Sequence, residues 1–201
     1  MIKIGVLISG SGSNLQAIID AIEADTLDAQ IVTVISNKAD AYGLERAKAA
    51  GIRAVFLDPK DYPDSAAYNV AIRDELQDQG AQYVVMAGYM KLLGSEVLEA
   101  FPMRVLNLHP ALLPSFPGAH GIEDALDYGV KVTGITVHFA DEQFDRGPII
   151  AQKAIEIAEG DTPDTLAERI HAAEHKLYPQ VLQWIADDRL TVKGRRVVLR
   201  S

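Results

Sequence analysis

Ile2-Lys3-Ile4-Gly5-Val6-Leu7-Ile8-Ser9-Gly10-Ser11-Gly12-Ser13-Asn14-Leu15 opens the chain with three signals in succession. Ile2–Ile8 is an apolar, β-branched run of the kind that forms a strand buried on both faces of a parallel sheet. Ser9–Asn14 is a turn rich in glycine and serine, and Leu15–Ala24 then carries Leu15, Ile18, Ile19 and Ile22 at helical spacing, with Ser13 or Asn14 a natural N-cap. Strand, glycine turn and helix start make an anion cradle, with free backbone amides and a dipole aimed at negative charge. The same turn also closes βα units that bind nothing. The third glycine of a dinucleotide fingerprint is missing, and the second strand, Ile31–Ile35, ends in Ser36-Asn37-Lys38 without an acidic residue for a ribose diol. A phosphate monoester therefore fits better than NAD.

Outward from this unit the alternation repeats. Tyr42–Ala50 reads as a helix closed by Gly51, Arg53–Leu57 as a strand, and Asp58–Pro63 as a loop. Ser65–Gln79 reads as a helix stopped by Gly80, Tyr83–Ala87 as a strand, and Ser95–Phe101 as a short helix capped by Ser95. Arg104–Leu108 is a further strand, after which Pro110, Pro114 and Pro117 force a rigid loop. Gly121–Tyr128 reads as a helix, and Lys131–Phe139 and Ile149–Ile157 as strands. Thr165–Asp187 is an amphipathic helix containing Pro179, and Arg189–Leu199 is a small basic β tail. The expected fold is α/β: a Rossmann-like, mostly parallel twisted sheet with helices on both faces. We expect one domain over 1–201, with a phosphate-binding half (1–100), a catalytic half (101–190) and the tail (191–201).

Composition narrows the function. Of 201 residues, 48% are hydrophobic and 23% charged, ordinary for a globular protein. The net charge of −9 argues against nucleic acid as a partner. The absence of cysteine excludes disulfides and thiolate metal sites. Met1–Ser9 is too short for a signal peptide and no apolar run approaches ~18 residues, so the expected location is the cytoplasm, without membrane partners. The sequence allows a homodimer without specifying one.

Chemistry concentrates in Asn107-Leu108-His109-Pro110-Ala111-Leu112-Leu113-Pro114-Ser115-Phe116-Pro117-Gly118. Asn107 and His109 lie two apart, so on extended chain they share a side. In such sheets ligands gather beyond the carboxyl ends of strands, where the Ser9–Asn14, Met90–Leu93 and Asn107/His109 segments all fall. Lys131–Phe139 puts Thr136 and His138 on one face, and Asp141-Glu142-Gln143-Phe144-Asp145 follows as an acidic turn. An amide donor, an imidazole and a carboxylate suit acyl transfer to an amine: the amide meets an oxyanion, and the imidazole handles protons. Metal is the rival use of His109, His120, His138 and Asp145. These four contain no His-x-x-x-His pair, so no metal is expected.

Six pieces, in order, resemble the folate-dependent formyltransferase family: Ile8–Leu15, Ser36–Ala39, Ala87-Gly88-Tyr89-Met90, Asn107–Pro114, Asp145-Arg146-Gly147-Pro148-Ile149-Ile150 and Glu174-His175-Lys176-Leu177-Tyr178-Pro179. The match runs from about Lys3 to about Leu190. The resemblance implies that N10-formyltetrahydrofolate, a co-substrate, gives its formyl group to the amine of 5′-phosphoribosylglycinamide. It implies a catalytic triad of Asn107, His109 and Asp145. Ribonucleotide contacts fall on Gly12, Ser13, Asn14, Leu15, His171, Ala172, Ala173 and Glu174. Folate contacts fall on Ser65, Met90, Lys91, Leu92, Leu93, Asn107, Asp141, Glu142, Gln143 and Phe144, with His120, Thr136 and His138 in supporting roles. Lys91 and Ser65 stand where the family often has arginine, and Ala111 where it often has serine. Formyltetrahydrofolate deformylase, which carries an extra N-terminal domain, and methionyl-tRNA formyltransferase, which needs a C-terminal RNA-binding domain, are the family rivals. A non-catalytic nucleotide-binding module would keep Gly12–Asn14 but has no reason to keep the triad.

Overall fold

The computed structural model describes residues 1–142 and 145–200. Ile2–Ile8 forms β1, and its burial on both faces follows from its composition. Ile4, Val6 and Ile8 pack with α1 (Ser13–Glu23) and α6 (Pro163–Ala186), whereas Leu7 faces Ile72 and Leu76 of α3 (Ser65–Asp78). Gly5 is the place where a Cβ would stand 2.1 Å from the Leu76 side chain, so α3 can lie close only over glycine.

The remaining elements are β2 (Ala29–Ser36), α2 (Tyr42–Ala49), β3 (Ala54–Phe56), β4 (Tyr83–Met86), α4 (Ser95–Leu98), β5 (Val105–His109), α5 (Gly121–Tyr128), β6 (Val132–Phe139), β7 (Ile149–Glu156), β8 (Leu190–Lys193) and β9 (Arg196–Leu199). A single 3-10 turn, Pro59–Asp61, interrupts the expected 58–63 loop. The strands form one sheet in the order β3-β2-β1-β4-β5-β6-β7-β9-β8. From β3 to β5 every pairing is parallel; β6 then runs antiparallel to both β5 and β7. The mostly parallel α/β architecture expected from the sequence is the one observed. Among the described residues no helix is long and apolar enough to cross a membrane.

Two caps differ from expectation. α1 is preceded by Gly12 in the left-handed region (φ 69°), with no side-chain cap from Ser13 or Asn14, which are already helical. The reason is crowding: a Cβ on Gly12 would lie 2.6 Å from the Gly43 Cα, so the turn is set by backbone-to-backbone approach with α2. Likewise Gly94, not Ser95, precedes α4. Its N–H donates to Asn69 Oδ1, and Asn69 Nδ2 donates to the Ser65 carbonyl, so α3 holds that loop. His109 is also not in a loop but ends β5.

Candidate active site

The sheet register assembles the site. Across the antiparallel β5–β6 pair, Asn107 stands opposite His138 and His109 opposite Thr136; one strand further, Thr136 stands opposite Gln152. Side chains two apart share a face, so the four polar groups of β5 and β6 fall on one side.

His109 is 3% exposed. Its Nε2 donates to the Phe116 carbonyl at 2.7 Å, and its Nδ1 lies 3.4 Å from Asp145 Oδ2. Asp145 Oδ2 also accepts from the Gly118 N–H at 2.8 Å. Its Oδ1 lies 3.6 Å from His138 Nε2 and 3.4 Å from Asn107 Nδ2. His138 Nδ1 donates to the Phe139 carbonyl at 2.9 Å, and its Nε2 lies 3.2 Å from Asn107 Nδ2. Each imidazole is thus oriented by a main-chain carbonyl and turned toward one carboxylate.

Asp145 sits at φ 54°, a conformation that aspartate tolerates better than most residues. Burial pushes its carboxyl up, but His138, the Gly118 N–H and the nearby His109 together pull it below the ordinary value. A depressed folded-state value gives stability that is present above about pH 3.9 and lost as pH falls through the lower folded-state pKa. We expect a carbon-detected titration of Asp145 to show a midpoint below 3.8; a midpoint above that would mean that burial outweighs the hydrogen bonds and the imidazoles.

The proline-rich loop is pinned at both ends. Thr136 Oγ1 donates to the Ala111 carbonyl (2.7 Å) and accepts from Leu113 N (3.1 Å). Gln152 Nε2 reaches the Leu113 carbonyl and Thr136 Oγ1 at 2.9 and 3.0 Å. At the far end Asp145 holds Gly118. Phe116, Gly118 and Gln152 were not singled out from the sequence. Two act through backbone atoms that any residue supplies, and only a lone Gln in the apolar strand Ile149–Glu156 offered a signal.

Beside this cluster lies a cleft of about 460 Å³ lined by Ser9–Asn14, Lys38, Met90, Leu108, Pro110, His171 and Glu174 among others. The amides of Ser13, Asn14 and Leu15 precede the first intrahelical bond, from Gln16 N to the Gly12 carbonyl. Asn14 Nδ2 donates to Glu174 Oε2 at 2.9 Å, while Asn14 Oδ1 is buried without a partner. Ser9 Oγ donates to Asn37 Oδ1 and accepts from Met90 N, joining three rim loops. On α6, spacing brings His171 and Glu174 to the cleft; Ala173 instead packs into the core beside Ile135, and Ala172 is exposed.

The expected folate residues form a second edge. Leu92, Leu93 and Asp141 line a small slot with Asn107, His138 and Asp145. Met90 and Leu92 are largely exposed, and Lys91 Nζ lies 6.0 Å over the Tyr68 ring. Ser65 opens α3, Glu142 is exposed, and Gln143 and Phe144 lie outside the described residues. His120, expected close to the site, is exposed as the N-cap of α5, between Ala119 and Gly121, which both line the cleft. One His-x-x-x-His spacing does occur, His171 and His175 on α6, with rings stacked 6.4 Å apart. Glu174 between them is turned to Asn14.

This combination of sheet, glycine cradle and Asn–His–Asp cluster defines a class: the chain belongs to the formyl transferase family, whose model matches residues 2–182. Within that class it is 44% identical over 183 residues to phosphoribosylglycinamide formyltransferase of Bacillus subtilis, covering 91% of this chain and 94% of the relative. It is 45% identical over 195 residues to the trifunctional purine biosynthetic protein adenosine-3 of Bos taurus, covering 96% of this chain and 19% of that protein. The crystal structure of glycinamide ribonucleotide transformylase 1 from Symbiobacterium toebii matches with a TM-score of 0.99 at 49% identity, over 100% of this chain and 95% of that one.

Proposed function

We propose that this protein transfers the formyl group of N10-formyltetrahydrofolate to the amine of 5′-phosphoribosylglycinamide, a step of purine biosynthesis. The observation that carries the reading is the junction of two sites on one rim: Leu108 and Pro110, which flank His109, line the same cleft as Ser9–Asn14. A ribonucleotide anchored by its phosphate on Ser13, Asn14 and Leu15 extends its amine toward the Asn–His–Asp cluster, with His171 and Glu174 along the way. Folate lies against Met90–Leu93 and Asp141. The first half of the chain supplies the glycine turn and the α1 amides, and residues 101–190 supply the chemistry and the Glu174 side of the cradle.

The amine nitrogen attacks the formyl carbon, and a tetrahedral oxyanion forms. Asn107 uses the N–H held only by the long contact to Asp145 to stabilise it. The amine loses one proton, folate N10 gains one as its bond to carbon breaks, and His109 mediates the exchange with Asp145 fixing its ring.

The test mixes protein with 10-formyltetrahydrofolate, with and without the ribonucleotide, and follows loss of the formyl donor. Loss only with the ribonucleotide is expected. Loss without it would indicate a hydrolase, and no loss in either case a binding module.

A further inference from the structure

The ribonucleotide cradle and the folate edge leave neighbouring strands, and one side chain joins them. β1 ends at Ile8, which pairs with Ser36 of β2, while on its other side Leu7 pairs with Met86 of β4. Ser9 comes next, so the loops after β2 and β4 depart on either side of it. Its N–H donates to the Gly88 carbonyl at 3.1 Å, carrying the β1–β4 pairing one step past the strands. Ser9 is 4% exposed, and its hydroxyl has two partners, Asn37 Oδ1 at 2.6 Å and the Met90 N–H at 2.8 Å. The single hydroxyl proton goes to Asn37, and a lone pair is left for Met90.

Met90–Leu93 lies outside every helix and strand. At its margins Tyr89 and Leu93 are buried with Ile72 and Leu76 of α3, and the Gly94 N–H is held by Asn69 of the same helix. Met90 and Leu92 are 72% and 66% exposed. Among the described residues, the Met90 N–H is the one main-chain N–H of Met90–Leu93 that forms a hydrogen bond. The margins are thus fixed against α3, and the bond to Ser9 sets the stretch against the cradle. Ser9 and Met90 both line the cleft that contains Gly10–Asn14.

We propose that Ser9 is a positioning residue for the formyl donor. Its hydroxyl, with the proton fixed by Asn37, holds Met90 and so registers the folate edge against the ribonucleotide. Transfer between two separately bound molecules needs the reacting atoms about 3–3.5 Å apart, and this bond ties together the two loops that carry them. Ser9 acts through Met90 and touches neither reacting group. The inference rests on reading Met90–Leu93 as the folate edge.

Steady-state kinetics test it, with 10-formyltetrahydrofolate varied at saturating ribonucleotide, beside calorimetry of ribonucleotide binding. Ser9→Ala is expected to raise the KM for the formyl donor about fivefold or more, while ribonucleotide affinity is kept. Ser9→Cys, whose sulfur is a weak acceptor, shows the same loss should the first variant misfold. Ser9→Thr, which keeps the hydroxyl, restores the KM. Leu92→Ala, within the folate edge itself, is the reference and also raises it. A raised KM in Leu92→Ala with none in Ser9→Ala overturns the role of Ser9 but leaves the folate edge standing. No change in either variant overturns both. Equal loss of affinity for the two substrates in Ser9→Ala overturns the proposal as well, and so does a threonine that fails to restore the KM.

Discussion

His109→Ala lowers turnover by about 10²–10⁴-fold, the range associated with a positioned acid–base group, while ribonucleotide affinity stays close to its original value. The imidazole is held from both edges, by the Phe116 carbonyl at 2.7 Å and by Asp145 at 3.4 Å, and no other described side chain takes that position. His138 is no substitute, because it stands on β6 opposite Asn107, whereas the His109 position is opposite Thr136. Affinity is spared because the cradle is built from α1 and Glu174, which do not contact His109. The substitution also leaves the Phe116 carbonyl without its donor, a cost of about 1–3 kcal/mol to stability. Steady-state rates with each substrate, together with ribonucleotide calorimetry, separate the two effects. Unaltered turnover would remove His109 from the mechanism, and a parallel loss of affinity would mean the cluster also builds the cradle.

Gly147→Ala is expected to be among the most damaging single substitutions in the molecule. A Cβ there would lie 1.7 Å from the Phe139 carbonyl oxygen and 2.8 Å from its carbon. These are main-chain atoms at the end of β6, and Phe139 N is itself bonded to the Pro148 carbonyl, so no rotamer change relieves the overlap. The turn must open, moving Asp145 two residues upstream and releasing Gly118. We expect a loss of about 3 kcal/mol or more, and activity to fall beyond what the folded fraction accounts for. Gly160→Ala is the control: nothing lies within 4 Å of its Cβ, so only its positive φ of 83° is penalised, at about 1–2 kcal/mol. Denaturant midpoints of the two variants decide the matter, and equal midpoints would sink the argument.

The parallel half of the fold could be read from the sequence because each βα unit repeats the same local grammar. Ile2–Ile8, Tyr83–Met86 and the glycine stops at Gly51 and Gly80 announce themselves within a few residues. The grouping of Asp145 with Asn107 and His109 was anticipated through family resemblance, and the pairing of Asn107 with His109 through strand periodicity. What escaped depends on contacts between distant segments. The antiparallel register that sets Asn107 against His138 joins residues 31 apart, and nothing local encodes it. The start of α1 was misassigned because Ser13 and Asn14 are good caps in isolation, whereas the close approach of Gly43 to Gly12 is a tertiary fact. Phe116 and Gly118 act through main-chain atoms, which composition cannot distinguish.

The bond from Asn14 to Glu174 spans 160 residues and fastens the first helix to the last. A ligand seated there is therefore coupled to the integrity of the whole chain, and not only to the flexibility of one loop. Occupancy at a hundred times the dissociation constant adds about 2.7 kcal/mol against global unfolding. Because α6 is the last of the cradle's parts to be synthesised, a nascent chain acquires this protection late. In a cell, the substrate pool would then set how long the protein survives proteolysis as well as how fast it works.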